Sequence, residues 1–349
     1  VTNTQEDMKA LLAKVADGIS LGEKEAKSAF NIIMSGEATA AQIGAFLMAL
    51  RVRGETIEEI TGAVRVMREK ALRVAAPEDA IDIVGTGGDA SGTLNISTGA
   101  AIVVAAAGVP VAKHGNRALS SKCGSADVLA ALGVNIDADI ALVERAIREA
   151  RIGFLMAPRH HSAMRHVAGP RVELGIRTVF NLLGPLSNPA GVKRQFSGAF
   201  ARQWIEPMAR VLGKLGCERA WVAHGVDGID ELTTTGLSYV AELNNGEIRT
   251  FEVVPGDAGL PVAQPEHLKG GDGATNAAAM RSMLNGEPGA FRDAVVYNAA
   301  AALIVAGKVE SLAEGAVSAA AAIDDGRAQA TLDKLVEITN GSPTTAVDQ

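Results

Sequence analysis

Aromatic residues are scarce in this 349-residue chain: two tryptophans, two tyrosines and eight phenylalanines, 3% of the total. A core poor in rings must be filled by Ala, Val, Leu and Ile. Hydrophobic residues reach 48%, and small aliphatic side chains suit helices packed closely on a sheet. Only two cysteines occur, Cys123 and Cys217, far apart and in no metal-binding spacing. That excludes a disulfide framework and a cysteine-rich zinc site, and fits idle thiols in a reducing compartment. A nucleophilic role for Cys123 has little behind it, because small side chains are common near any ligand. No apolar run approaches the ~20 residues that span a bilayer; the Ala-rich stretch 100–112 is interrupted at Gly108-Val109-Pro110. No charged-then-apolar leader pattern opens the chain. An excess of positive charge is missing too: 33 Lys and Arg stand against 40 Asp and Glu, a net charge of −7. General nucleic-acid binding rests on a broad basic face, so neither a nucleic acid nor a membrane is expected as partner. The expectation is a soluble, cytoplasmic protein.

The densest information lies in residues 80–125. An apolar run, 81–84, ends in Gly85-Thr86-Gly87-Gly88-Asp89, and Asn95, Ser97 and Thr98 follow where a helix should begin. Glycines accept positive φ and let a backbone approach a ligand closely. The free N–H groups of the next helix N-terminus then favour an anion. Tight strand-to-helix packing is the competing explanation for such a loop. A P-loop needs Lys then Ser or Thr after its last glycine, and neither is present. A dinucleotide fold wants an acid after the second strand. Here the second apolar run, 108–112, ends in Lys113-His114-Gly115-Asn116-Arg117. Alone that would be a solvated basic turn. In a βαβ unit, crossover geometry brings both loops to the carboxyl edge of adjacent strands, which makes a polyanion site the better reading.

The first ~75 residues read as helices by period and caps. Ser20 with Glu23, Thr39 with Gln42 and Thr56 with Glu59 have capping-box spacing. Ala29, Phe30, Ile33 and Met34 make one apolar stripe, and Ile43, Phe46, Leu47 and Leu50 another. Such a surplus of apolar face favours self-association, so a homodimer through this region is expected. From Ala76-Pro77 onward, short β-branched runs alternate with Ala-rich helical ones. Strands are expected at 81–84, 109–112, 152–156, 195–200, 219–224, 238–242 and 248–254. Helices are expected at 275–284, 292–306 and 309–322, before a frayed tail at 341–349. Alternation of this kind implies an α/β architecture with a mainly parallel sheet flanked by helices.

Two further clusters carry chemistry. Asp230 and Glu231 follow a glycine turn at a strand end; beside a phosphate site, two carboxylates could hold Mg²⁺. Asp227 is a weaker third candidate. His160, His161 and His166 lack the register of a zinc site and read better as hydrogen-bonding or solvated loop residues. Arg171 or Arg177 could fork onto a carboxylate or simply remain surface charges.

Taken together, these motifs resemble one family, anthranilate phosphoribosyltransferase of the tryptophan pathway. The resemblance rests on Gly85-Thr86-Gly87-Gly88-Asp89, Asn95-Ile96-Ser97-Thr98, Lys113-His114-Gly115-Asn116-Arg117, Gly124-Ser125-Ala126-Asp127, the run Arg177-Thr178-Val179-Phe180-Asn181 leading into Leu183-Gly184-Pro185-Leu186, and Asp230-Glu231. It implies a small N-terminal all-helical domain (1–76, with part of 160–190 packing on it) and a larger α/β domain (77–349) with the site between them. It implies transfer of a phosphoribosyl group from 5-phosphoribosyl 1-diphosphate (PRPP) to the amine of anthranilate, with Mg²⁺, in a homodimer. Carried over by position, Gly85, Gly88, Asp89 and Thr93 line the PRPP site, continued by Asn95, Ile96, Ser97 and Thr98. Lys113, His114, Gly115, Asn116, Arg117, Ala118, Leu119, Ser120, Ser121 and Ser125 wrap ribose and phosphates. Ser97, Asp230 and Glu231 hold Mg²⁺. Asn116, Arg171 and His161 face anthranilate. The family often places a proline two residues before this arginine; here Pro170 directly precedes Arg171. A pyrimidine nucleoside phosphorylase of related fold and a non-catalytic nucleic-acid-binding relative are the rival readings.

Overall fold

A computed structural model describes residues 4–88, 91–118 and 122–342 of the chain. Four helices open it, Thr4–Ala16, Glu23–Met34, Ala40–Arg53 and Ile57–Lys70. Two begin where their capping boxes place them. The Thr39 hydroxyl accepts the Gln42 N–H and the Thr56 hydroxyl accepts the Glu59 N–H, while Gln42 and Glu59 reach back to the cap N–H groups. The Ser20–Glu23 box does not form. The helix there starts at Glu23 on a Gly22 cap, with the Gly22 N–H bonded to Glu25 at 2.9 Å. The reason is Leu21, which is drawn into the core and donates its N–H to Glu59 at 2.9 Å, so the chain stays extended two residues longer.

Both expected stripes are buried. Phe30 stands edge-on to Phe46 and Phe180, with ring centroids 5.7 and 5.8 Å apart. Val167, Val179, Phe180, Leu182, Leu183 and Leu186 join the same core as the N-terminal helices, and helix Ile205–Lys214 closes it against the sheet.

The strands are β1 Ile81–Gly85, β2 Val111–Gly115, β3 Ile152–Met156, β4 Arg194–Gly198, β5 Arg219–Gly225, β6 Ser238–Asn244 and β7 Glu247–Val253. They form one sheet in the order β3-β2-β1-β4-β5-β6-β7. The first five are parallel, and the hairpin β6–β7 adds an antiparallel edge. Helix Ile96–Ala106 crosses from β1 to β2. Its residues from Gly99 to Ala105 are buried, because helices Ala290–Ala306, Leu312–Asp324 and Arg327–Thr339 pack against it in addition to the sheet. This explains why that run lacks a polar face. Helices Gly273–Leu284, Leu312–Asp324 and Arg327–Thr339 complete the layer; the last was not anticipated.

One strand boundary differs with consequence. The second strand runs 111–115 rather than 109–112, so Lys113 and His114 are strand residues and not loop residues. Pairing with β3 as far as Gly115↔Met156 extends it. A buried acid from β1, Asp82, receives the His114 N–H at 3.0 Å, which lets polar residues occupy an interior strand.

Candidate active site

The carboxyl ends of β1, β2 and β5 and the segment 157–185 enclose a cavity of about 630 Å³. Its walls hold Gly85, Gly88, Thr93, Asn95, Ser97 and Thr98 from the first expected loop. Lys113, His114, Gly115, Asn116, Arg117, Ala118 and Ser125 come from the second, and Asp230 and Glu231 from the turn after β5. His161 and Arg171 reach it from the other side. Of the described candidates only Ile96 is elsewhere, with its side chain in the α/β core. A helix first turn can present just one face to a ligand, and Ile96 is fully buried on another. Asp89, Leu119, Ser120 and Ser121 lie outside the described residues.

The carboxylates are held by backbone. Asp230 Oδ2 accepts the Gly87 N–H at 2.7 Å and the Thr86 hydroxyl at 3.3 Å. Glu231 Oε1 accepts the Ser97 N–H at 2.9 Å, at the N-terminus of helix Ile96–Ala106, where the helix dipole favours a negative charge. Two glycines make room: a Cβ on Gly85 would stand 2.3 Å from Asp230 Oδ2, and one on Gly198 would stand 1.4 Å from the Asp230 carbonyl oxygen. Asp227 is not part of the site. Its Oδ2 is bonded to the Thr233 and Thr235 hydroxyls at 2.8 and 2.7 Å and so shapes the turn.

Lys113 is 2% exposed, and its ammonium donates to the Ile83 carbonyl at 2.6 Å. Burial pushes it down to about 8, against the opposing pull of Asp82, Glu231 and Asp230. Burial pushes the Asp82 carboxyl up to about 6. His114 Nδ1 lies 3.1 Å from the Gly184 carbonyl and therefore carries the proton there. Its ring meets His161 edge to face at 5.2 Å. Burial lowers His114 to about 3 and His161 to about 4, so both are neutral at pH 7. The loop after β2 is fastened by Asp127, which accepts the Ala118 and Gly124 N–H groups at 3.0 and 2.8 Å and pairs with Arg117 at 3.2 Å.

Arg171 sits in the last turn of helix Arg165–Leu174, with its guanidinium 5.3 Å from the Phe180 ring centre. Arg177 does not line the cavity; it donates to the Gly88 carbonyl and lies over Phe200 at 4.7 Å. The thiol of Cys123 is pushed up to about 11 by burial, which removes it as a nucleophile at neutral pH. Arg165 was not anticipated on the wall of the cavity, and Asp82 was overlooked as its support. An acid inside the apolar strand Ile81-Asp82-Ile83-Val84 was the available signal for the latter.

Two neighbouring carboxylates on the cavity wall offer a donor set for a divalent cation. Asp230 and Glu231 are adjacent, each 9% exposed, and offer only oxygen. Among the described residues no group of three or more His, Cys, Asp or Glu could hold a metal. Two carboxylates without a full cage fit Mg²⁺, which keeps water and phosphate oxygens in its remaining positions, and fit a transition metal poorly.

A helical bundle beside an α/β unit, with a glycine loop, a buried lysine and an acidic pair around one cavity, makes a site for a polyanion carrying a divalent cation. Residues 9–71 match the helical bundle domain of the glycosyl transferase family, and residues 77–329 match its a/b domain. A Paramagnetospirillum magneticum anthranilate phosphoribosyltransferase is 66% identical over 95% of this chain and 96% of its own length. The Rhodospirillum rubrum enzyme is 63% identical over 96% of each. Among solved structures, the Thermus thermophilus enzyme superposes with TM-score 0.90 at 45% identity, covering 95% of this chain and 99% of that one. The Saccharomyces cerevisiae enzyme in complex with PRPP and Mg gives 0.87 at 26% identity, covering 95% and 97%. The chain belongs to the anthranilate phosphoribosyltransferase family.

Proposed function

We propose that this chain transfers the 5-phosphoribosyl group of PRPP to the amine of anthranilate, releasing pyrophosphate, as a step of tryptophan biosynthesis. The observation that carries the reading is the meeting of three separate motifs on one cavity: the glycine loop after β1, Lys113 on β2, and Asp230-Glu231 after β5. The complex of the yeast relative with PRPP and Mg supports the choice of donor and ion. In this reading Gly85, Gly88, Thr93, Asn95, Ser97 and Thr98 receive PRPP with the loop after β2. Asn116, His161 and Arg171 receive anthranilate.

Breaking the bond between C1 of the ribose and pyrophosphate builds positive charge on the sugar and negative charge on the leaving group. Bound Mg²⁺, held by Ser97, Asp230 and Glu231, would supply charge neutralisation at the diphosphate. Lys113, fixed on the cavity wall by its bond to the Ile83 carbonyl, stabilises the same charge with little reorganisation. An aromatic amine is neutral at pH 7 and needs no strong base. The two histidines suit that task, because neutral rings can orient the acceptor without adding charge. Holding the amine against C1 supplies proximity. In the same reading residues 1–76 and 77–349 act as separate domains with the site between them, and the enzyme is a cytoplasmic homodimer.

The test is direct. With PRPP, Mg²⁺ and anthranilate, anthranilate fluorescence should fall as product forms. Fluorescence that stays constant with all three present would refute the assignment.

A further inference from the structure

The segment 268–276 lies outside every motif discussed above, yet it clasps the glycine loop. The Leu94 N–H donates to the Leu268 carbonyl at 2.9 Å and the Gly270 N–H to the Gly92 carbonyl at 2.8 Å, around an antiparallel bridge between Thr93 and Lys269. Gly270 permits this approach: a Cβ there would stand 2.7 Å from the Thr93 carbonyl oxygen. The strap then enters helix Gly273–Leu284, capped by Asp272, whose carboxylate accepts the Thr275 N–H at 2.8 Å. The first turn of that helix carries Asn276, which is 1% exposed.

Asn276 links three pieces of chain. The Gly271 N–H donates to Asn276 Oδ1 at 2.7 Å, Asn276 Nδ2 donates to Asn95 Oδ1 at 2.9 Å, and Asn95 Nδ2 donates to the Cys123 carbonyl at 3.2 Å. All three amides donate in the same sense, so each bond polarises the next, and the low local dielectric strengthens the series. The relay ties the strap to the helix cap at Asn95 and to the loop after β2. Asn95 lines the cavity and Asn276 does not.

We propose that Asn276 is a positioning residue for the transfer reaction, setting the distance between the glycine loop and the loop after β2 through Asn95, and so shaping the end of the cavity that receives PRPP. The inference rests on the phosphoribosyl-transfer reading. A buried asparagine that only stabilises the fold would affect both substrates alike. One that acts through Asn95 affects PRPP more than anthranilate, because Arg171 and His161 hang on a different segment and only Asn116, of the residues assigned to anthranilate, follows β2.

The experiment is steady-state kinetics on Asn276→Ala, Asn276→Asp, Asn95→Ala and the Asn95→Ala/Asn276→Ala double variant, with thermal melts alongside. Asn276→Asp keeps the size and the acceptor for Gly271 while losing the donor to Asn95, so it separates positioning from folding. Both Asn276 variants should raise KM for PRPP about tenfold, with KM for anthranilate altered by less than about twofold. The double variant should be no worse than Asn95→Ala, because removing one relay twice costs only once. An Asn276→Asp enzyme with unchanged KM for PRPP, equal effects on both substrates, or multiplying effects in the double variant would overturn the proposal. Wild-type enzyme inactive on PRPP and anthranilate would instead overturn the parent reading.

Discussion

Asp230 and Glu231 owe their positions to backbone donors from two different segments, the Gly87 N–H and the Ser97 N–H. Replacing both with alanine removes the two carboxylates proposed for Mg²⁺, leaving only Ser97 of the three ligands, and leaves those donors without their acceptors. Turnover should drop by about 10²–10³-fold, the usual scale for losing preorganised charge stabilisation, and the dependence on magnesium should flatten. A magnesium titration identical to wild type would reject their role. Arg171 poses a separate question of specificity. Losing a charge-assisted hydrogen bond to the anthranilate carboxylate costs ~1.5–3 kcal/mol, so Arg171→Ala should raise KM for anthranilate by about tenfold or more and KM for PRPP much less. Equal rises in both would argue against a carboxylate partner. Asp82 permits a test by pH. Its folded value is raised to about 6 from 3.8, so between those values the folded state binds more protons than the unfolded one. Stability therefore falls as pH rises across that window. Asp82→Asn should lack this fall, by up to ~3 kcal/mol, in chemical denaturation at pH 4 and pH 6.5. Parallel pH profiles for the two proteins would contradict the assignment.

At the scale of elements, helix Ile57–Lys70 depends on one buried acid. Glu59 is fully buried, accepts the Leu21 and Thr56 N–H groups at 2.9 Å each, and pairs with Arg53. Glu59→Ala strands two donors and leaves Arg53, still bonded to the Ile19 and Gly54 carbonyls, without its counter-charge, and should destabilise the protein by ~3–5 kcal/mol in urea unfolding. A loss below ~1 kcal/mol would show that water replaces the acid. The elements also divide by how readily the sequence revealed them. Thr39 and Thr56 announce their helices because a hydroxyl with an acid or amide three residues on acts locally. Ser20 misled because Leu21 is buried by residues far along the chain. The parallel strands expected at 81–84, 152–156 and 219–224 were legible to within a residue from short apolar runs, whereas the end of the second strand was not, since Lys113 and His114 look like loop residues until Asp82 is placed beneath them.

For the whole molecule, the net charge of −7 coexists with a cavity lined by Lys113, Arg117, Arg165 and Arg171. Positive charge is concentrated where an anionic substrate would enter and is absent as a general excess. Among the described residues no helix is long and apolar enough to cross a membrane. Ile19, between the first two helices, and Val52, in the third, are 51% and 80% exposed, and Val172, on helix Arg165–Leu174 that packs against the third, is 80% exposed. Apolar surface of this kind is consistent with self-association. Light scattering should return about twice the 35.9 kDa chain mass; a monomeric mass at micromolar concentration would reject the dimer.

What the sequence determined by itself were features with short-range causes: helix caps, β-branched runs, the glycine-rich turn, and the order of the motifs that mark the family. Tertiary structure alone decided which of those motifs share a cavity. The Asp230 carbonyl lies where any side chain on Gly198 would stand, Lys113 is sunk beside Asp82, and Asn276 reaches Asn95 across the chain. Each depends on elements distant in sequence being brought within a few ångströms, and no local pattern encodes that distance.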